Sequence, residues 1–196
     1  MTTTRGVSAT LLIAGLLLAA EAQAAPPVST PIGPAKSMYY VGAKGGLMMP
    51  DRDGFDNAIN VGAYGGYNLV GAGAPLKANL GGGTLAIEGE VTLTASSGDF
   101  SVTGGSGDWK ITTLGAYAAY RFPVTATFYA KGKAGVVRSD VDISVSGVSG
   151  GGNDTDFSIG AGVGFVLGRG SLEVEITRIN AHDNFDFLSV GYLWNF

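Results

Sequence analysis

The residues of this chain best suited to nucleophilic catalysis lie near its end. His182 is the only histidine, Asp183 follows it, and Ser189 stands seven residues beyond His182. A serine nucleophile needs its base within hydrogen-bond reach of the hydroxyl. Extended chain covers ~3.3 Å per residue, so this spacing separates the two groups too far. We therefore expect no catalytic site here and no enzymatic activity.

A second set of candidate ligands is the acidic segment 51–56. Asp51, Asp53 and Asp56 supply the carboxylate oxygens that Ca²⁺ prefers. The segment lacks the closing glutamate of an EF-hand loop and carries Arg52 among its acids. We expect a solvated acidic loop, with neither metal nor cofactor. The chain has no cysteine, which excludes disulfides and thiolate metal sites.

The overall composition limits the classes of partner. The formal net charge is −4, with 12 basic and 16 acidic residues, so we expect no nucleic-acid partner. Glycine is abundant, at 33 residues, and charged residues make up only 14% of the chain. Hydrophobic residues make up 45% of the chain and alternate regularly with other residues along it. This pattern argues against a disordered protein.

The alternation has a period of two, which is the signature of strands with one apolar face. Each segment is long enough for a tilted strand to cross the hydrocarbon layer of a membrane. Prolines fall between the segments, where a missing N–H does no harm. The pattern predicts eight strands, at residues 38–49, 59–69, 84–95, 109–122, 127–138, 157–167, 171–180 and 186–196.

The fourth strand and three connectors are less regular. Leu114 and Phe122 share one frame of the fourth strand, whereas Trp109 and Ile111 fall on the other, and a bulge would reconcile them. Residues 70–83 are long for a turn between two strands. Residues 96–108 and 139–155 are predicted to be polar loops at the opposite ends of the strands, the second beginning as strand.

Several charged residues fall in mid-strand, always on the face opposite the apolar one. A Lys or Arg at the membrane midplane costs ~2–4 kcal/mol, so this face must line the interior. Because side chains fill the interior of an eight-stranded barrel, we expect an ion-pair network that plugs the lumen. A narrow, gated ion path is the alternative. The seven residues are Lys44, Glu88, Glu90, Lys131, Lys133, Glu173 and Glu175.

The last strand carries aromatic residues at one end of its apolar face. Tyr192, Trp194 and Phe196 alternate there, where a membrane–water boundary would hold an aromatic girdle. A strand ending in an outward-facing Phe resembles the closing strand of bacterial outer-membrane β-barrels. The chain from residue 38 onward resembles the small barrels of the OmpA-transmembrane/OmpX-like type.

The resemblance implies an all-β fold, an eight-stranded antiparallel up-and-down transmembrane β-barrel in the outer membrane of a Gram-negative bacterium. It also implies that Tyr192, Trp194 and Phe196 form the signal read by the barrel assembly machinery. Residues 1–24 have the pattern of a cleaved signal peptide, with Arg5 before an apolar run that is too short to span a bilayer. Residues 25–37 are predicted to be a proline-rich periplasmic tail, and residues 38–196 the barrel.

Arg138 and Arg178 lie on the lipid-facing frame near the outer ends of their strands, and Lys110 joins them if the fourth strand keeps the frame of Leu114 throughout. Lys110, Arg138 and Arg178 could extend to the phosphates of lipopolysaccharide. Ordinary interfacial solvation is the alternative.

We expect a non-enzymatic structural or surface-interaction (adhesion-type) protein, with acidic extracellular loops that contact a host or surface ligand. A small porin-like channel is the alternative. A third possibility is a lipid-modifying outer-membrane enzyme, using Ser189 and His182. A soluble periplasmic barrel, turned inside out, would also show alternation, but the charged face, the terminal aromatic residues and the signal peptide together argue against it.

Overall fold

The computed structural model describes residues 37–71, 74–76, 78, 80–102, 105–145, 148–180 and 184–196. Every named regular element in these ranges is a β-strand, as the period-two pattern predicts. No helix among the described residues is long and apolar enough to cross a membrane. The predicted signal peptide and nearly all of the proline-rich tail lie outside the described residues.

The strands form one antiparallel sheet that closes on itself. The segments β3 and β4 are separated only by Ser97 and both pair with β5, so the wall has eight strands and the predicted fold class is confirmed. The C-terminal segment β9 pairs with β1. The segments are β1 (Tyr39–Pro50), β2 (Ala58–Val70), β3 (Thr84–Ser96), β4 (Gly98–Val102), β5 (Gly105–Pro123), β6 (Phe128–Val145), β7 (Val148–Leu167), β8 (Gly170–Ile179) and β9 (Phe185–Asn195).

The two faces of the wall differ in polarity as the alternation predicts. In β8, Glu173 and Glu175 are buried, whereas Leu172 and Val174 are exposed on the outside. In β1, Lys44 is likewise buried on the inner face. Polar side chains therefore fill the interior, and the outer wall presents apolar side chains to lipid.

The strand β5 keeps one frame throughout, so the predicted bulge within it is wrong. Its pairing with β6 is regular from Asp108 to Pro123. Trp109 and Ile111 point into the barrel, each only 1% exposed. The interior changes from charged to apolar toward its outer end. Inward-facing residues of β5 are therefore apolar there, which made them resemble lipid-facing residues in the sequence. The irregularity lies on the neighbouring segments β3 and β4, whose pairing with β5 shifts in register around Ser97.

Two of the predicted loops are mostly strand. The β4–β5 pairing continues to Val102 and Gly105, and the β6–β7 pairing continues to Val145 and Val148. On β6 the apolar alternation continues through Val141, Ile143 and Val145, which pack against the buried cluster around Trp109. The facing part of β7 and the short segment β4 consist mostly of glycine and polar residues. Alternation of apolar residues is the signal of a half-buried strand and is weak in such segments. The prediction of a loop at 96–108 is corrected, and the strand predicted at the start of 139–155 extends through most of that range.

Candidate functional site

The middle of the barrel interior contains a layer of buried charges. The structure brings together all seven residues that the sequence indicated for the lumen. It adds Arg121, which gives four carboxylates and four cations and hence no net charge. We call this set the charged layer: Lys44, Glu88, Glu90, Arg121, Lys131, Lys133, Glu173 and Glu175. Each of these side chains is at most 5% exposed.

Arg121 links two carboxylates at the periplasmic side of the charged layer. Its Nη2 lies 3.0 Å from Glu88 Oε2, and its Nε lies 2.9 Å from Glu173 Oε1. Lys131 bridges the same two glutamates, at 3.1 and 3.2 Å. The sequence pattern did place Arg121 on the inward frame of its strand, opposite Phe122. Its inward position in the sequence pattern could therefore have predicted that Arg121 pairs with the buried glutamates.

The remaining lysines hold the other two glutamates. Lys44 Nζ lies 2.6 Å from Glu90 Oε2 and 3.2 Å from Glu175 Oε1. Lys133 Nζ contacts the same two side chains at 2.7 and 2.8 Å. Lys131 also reaches Glu175 Oε2 at 2.8 Å. Each cation therefore serves at least two carboxylates, which offsets the cost of burying the charges.

Tyrosines complete the charged layer and fill the space beside it. The hydroxyls of Tyr40 and Tyr129 donate to Glu88 and Glu173, at 2.8 and 2.7 Å. The Tyr40 ring lies so close to Gly66 that a Cβ there would collide with it. Inward glycines therefore make room for tyrosine rings, and three further Tyr–Gly contacts of this kind are Tyr64 with Gly42, Tyr117 with Gly115 and Tyr129 with Gly164.

A small gap lies among the described side chains of the charged layer. The gap, beside Lys44, Lys131, Glu175 and Ser189, has a volume of about 10 Å³. A water molecule needs roughly 10–15 Å³ of such volume, so the gap holds at most one.

An apolar plug closes the interior on the outer side of the charged layer. Trp109 lies at its centre, its ring 5.8 Å from that of Phe185, and its Nε1 donates to the Asp56 carbonyl at 2.9 Å. The β1–β2 loop covers the plug, because Phe55 stacks on Phe100 at 5.1 Å. The buried members of the apolar plug are Met48, Ala58, Phe100, Trp109, Ile111, Val137, Ile179, Phe185 and Phe187.

Aspartates are concentrated on the hairpins that rise beyond the plug. Asp99 and Asp108 lie directly opposite each other on β4 and β5. A hydrogen bond to Asp108, and the charge of that residue, raise the pKa of Asp99 above its usual range. Like charges at opposite positions destabilise a strand pair. Among the described residues, no group of His, Cys, Asp and Glu has the arrangement of a metal site.

The raised pKa of Asp99 predicts a pH-dependent β4–β5 hairpin. A carboxyl whose folded-state pKa is raised destabilises the folded form above that pKa, and the effect disappears below the unfolded value of about 3.9. Amide hydrogen exchange of β4 should therefore become slower, relative to intrinsic rates, as pH falls from 7 to 4. In Asp99→Asn this trend should vanish. An equal pH trend in wild type and variant would contradict the assignment.

The three cations of the outer wall do not form one cluster. Arg178 contacts Asp186 at 3.0 Å and Asp51 at 3.2 Å, so carboxylates already bind its guanidinium. Lys110 and Arg138 are exposed on β5 and β6. Lys110 lies opposite Asp142 in the β5–β6 pairing, and both are exposed.

The candidate nucleophile Ser189 is buried on the inward face of β9. Its hydroxyl donates to the Glu175 carbonyl at 3.4 Å, and it is 2% exposed. His182 and Asp183 lie outside the described residues. The described surroundings of Ser189 are those of a packed core hydroxyl.

The C-terminal aromatic residues lie on the outer wall at the periplasmic end. The rings of Tyr192 and Trp194 are 4.6 Å apart, and Trp194 is 48% exposed. Phe196 is 69% exposed. A second pair, Tyr39 and Tyr67, lies at the same end with ring centres 5.1 Å apart. Together they form the aromatic girdle expected at a membrane–water boundary.

Solved structures with the same architecture are outer-membrane barrels. Neisserial surface protein A has a TM-score of 0.58 and 16% identity, and the match covers 82% of this chain and 98% of that one. OprG from Pseudomonas aeruginosa has a TM-score of 0.58 and 12% identity, covering 84% and 100%. Ail, the attachment invasion locus protein of Yersinia pestis, has a TM-score of 0.53 and 14% identity, covering 81% and 99%.

These identities show a shared fold and no more. None of the curated proteins compared with the chain matches it. A family model described as outer membrane protein beta-barrel domain matches residues 10–196, which is nearly the whole chain. The chain therefore belongs to the outer-membrane β-barrel family.

Proposed function

We propose that this protein is a non-enzymatic surface-interaction barrel that binds an extended, basic polypeptide segment at the outer edge of β7. The observation that carries the proposal is an unpaired strand edge above the membrane. The last pair between β7 and β8 is Ser158 with Ile179, whereas β7 begins at Val148. No other described strand pairs with that side of β7 between Val148 and Phe157.

The backbone groups on this edge can be identified from their neighbours. The Phe157 carbonyl accepts from Asn180 N, so Phe157 faces the β8 side. The backbone N–H and C=O groups of successive residues point to opposite sides of a strand. Those of Ser149, Gly151 and Asn153 therefore point, like those of Phe157, to the β8 side. Extended segments of other proteins add to such exposed edges through main-chain hydrogen bonds.

The charge around the edge favours a basic partner. Asp140 lies opposite Asn153, Asp142 lies opposite Gly151, and Asp154 is adjacent on β7. All three aspartates are exposed. Complementary charges increase association rates and select against partners of the same sign.

The proposal is tested with the barrel in nanodiscs and an immobilised peptide of alternating Val and Lys. Wild type should bind it and should ignore the matching Val–Glu peptide. Asn153→Pro should weaken binding about tenfold. The substitution removes the backbone N–H of residue 153 as a hydrogen-bond donor and places the proline ring on the edge that the peptide would join. The stability of the barrel should not change, since this N–H faces away from β6.

Asn153→Ala is the matched control, because it removes the side chain and keeps the N–H. It should bind as wild type does. Failure of wild type to bind the basic peptide, or equal binding of both peptides, would refute the proposal.

The proposed lipid partner is lipopolysaccharide, bound through Lys110, Arg138 and Arg178. Replacing all three with Gln should lower the lipopolysaccharide that co-purifies with each barrel, because charge-assisted contacts to phosphate are lost. Arg169→Gln is the control, since Arg169 lies in the β7–β8 turn at the periplasmic end. Phosphate analysis of purified barrels gives the readout. Unchanged content in the triple variant would favour simple solvation.

A channel has less support than a scaffold, because side chains fill the described interior at both the charged layer and the apolar plug. A lipid-modifying enzyme also has less support, since the Ser189 hydroxyl bonds to a backbone carbonyl. Recognition of Tyr192, Trp194 and Phe196 by the assembly machinery remains part of the proposal. It is supported by their place at the end of the strand that closes the barrel, where Trp194 and Phe196 are exposed and Tyr192 is half-buried.

A further inference from the structure

The connector between β2 and β3 contacts the lipid-facing side of the wall. We propose that this connector is an inner-leaflet anchor, in which Leu76 and Leu80 lie in the boundary between phospholipid headgroups and acyl chains. Leu76 is 53% exposed and Leu80 is 37% exposed. The partner is phospholipid, and the argument rests on the contacts of the connector with outward-facing residues of β5 and with the backbone of β2.

The C-terminal half of the connector is held against Tyr120. This tyrosine lies on the outward frame of β5, together with Leu114 and Phe122. Its hydroxyl donates to the Leu80 carbonyl. A Cβ at Gly83 would lie within 3 Å of the Tyr120 ring, so the chain passes directly over that ring.

Two glycines turn the connector onto this surface. Gly81 and Gly82 have φ angles of +62° and +79°, in the left-handed region that favours glycine. A Cβ at Gly81 would lie 3.5 Å from the Phe122 ring, and Phe122 is 46% exposed on the outer wall. The turn therefore extends the apolar surface of β5 instead of projecting below the barrel.

The N-terminal half of the connector returns to the wall at β2. Leu76 N donates to the Leu69 carbonyl at 3.0 Å, and Leu76 forms a parallel bridge with Val70. Ala74 is buried, at 4% exposure. Both described ends of the connector are thus fixed beside the barrel wall, while the two leucines remain uncovered.

These contacts lie at the end of the wall that carries Tyr67, because Tyr67 pairs with Ile87, and Ile87 pairs with Ala118 two residues from Tyr120. The Tyr39–Tyr67 pair marks the periplasmic membrane boundary on the neighbouring strands β1 and β2. Amphipathic segments with exposed leucines bind at the boundary between headgroups and acyl chains. A periplasmic protein partner is the competing explanation, and it would leave both leucines in water when the barrel is alone in a bilayer.

Site-directed spin labelling separates these possibilities. The chain has no cysteine, so Leu76→Cys and Leu80→Cys each accept a single nitroxide label. In phospholipid nanodiscs, both labels should collide more often with oxygen than with a water-soluble nickel chelate. Ile87→Cys, on the outer wall, is the lipid control, and Ala126→Cys, at an exposed position in the β5–β6 turn, is the aqueous control. If the labels at both leucine sites show the same oxygen and nickel collision rates as the aqueous control, the proposal is overturned.

A measurement on wild type avoids any effect of the labels on folding. Barrels are placed in nanodiscs that contain a phospholipid with a photoactivatable group near the top of its acyl chain. Mass spectrometry after irradiation should find lipid adducts within residues 74–83. Adducts restricted to the strands would overturn the proposal, irrespective of the behaviour of the cysteine variants.

Discussion

Replacing Arg121 with methionine is expected to lower the free energy of unfolding by about 3–5 kcal/mol, because breaking a buried ion pair leaves uncompensated charge. Arg121 pairs with Glu88 and Glu173, both nearly inaccessible to water. Without it, four glutamates face three lysines in the charged layer. Lys131 still contacts both affected carboxylates, so we expect the lower half of the range.

Denaturant unfolding of the barrel in lipid vesicles measures the effect. Arg138→Met is the matched control, because Arg138 lies exposed on β6, and it should cost less than about 1 kcal/mol. Adding Glu88→Gln to Arg121→Met should recover part of the loss, with a coupling of roughly 0.5–3 kcal/mol. A loss as small as that of Arg138→Met would mean that water enters the charged layer.

The second large effect concerns the apolar plug. Trp109→Ala should cost about 3–5 kcal/mol, the usual cost of truncating a buried aromatic residue to alanine. Trp109 is 1% exposed and also donates a hydrogen bond to Asp56, so the variant loses packing and the attachment of the loop that covers the plug. Unfolding in lipid vesicles again gives the measurement.

The chain contains its own control for this variant. Its other tryptophan, Trp194, is 48% exposed on the outer wall, and Trp194→Ala should cost clearly less. In planar bilayers, neither wild type nor Trp109→Ala should give porin-sized currents, because the charged layer still fills the lumen. Such currents from wild type would establish an open channel instead. Equal costs for the two tryptophans would show that the plug is loosely packed.

The strand frames could be predicted because lipid and interior impose opposite polarities on successive residues. Glu88 and Lys131 could only lie inside, since a mid-strand charge facing lipid is costly. The same reasoning failed at Trp109, because it treated the interior as uniformly polar. Only the structure shows that the interior becomes apolar toward its outer end, where Trp109 packs on Phe185.

Partner choice inside the barrel was also beyond the sequence. The alternation places Arg121 and Glu173 on inward faces, but these residues lie on strands that are not adjacent. Their contact depends on the curvature of the closed wall and on tyrosine rings that fit over inward glycines. Neither feature produces a periodic pattern in the sequence, so a local stretch of residues cannot predict it.

Residue order alone is enough to predict a strand architecture, an even strand count in the wall, a charged interior and a girdle ending in Phe196. These features are local or periodic, and lipid as a solvent enforces them. The pairing of the charges, the apolar plug, the protruding hairpins and the position of the β2–β3 connector are visible only in the folded barrel. Each of these arises from contacts between residues distant in the chain, or from segments such as β4 and the start of β7 that are too short, or too rich in glycine and polar residues, to show an apolar alternation.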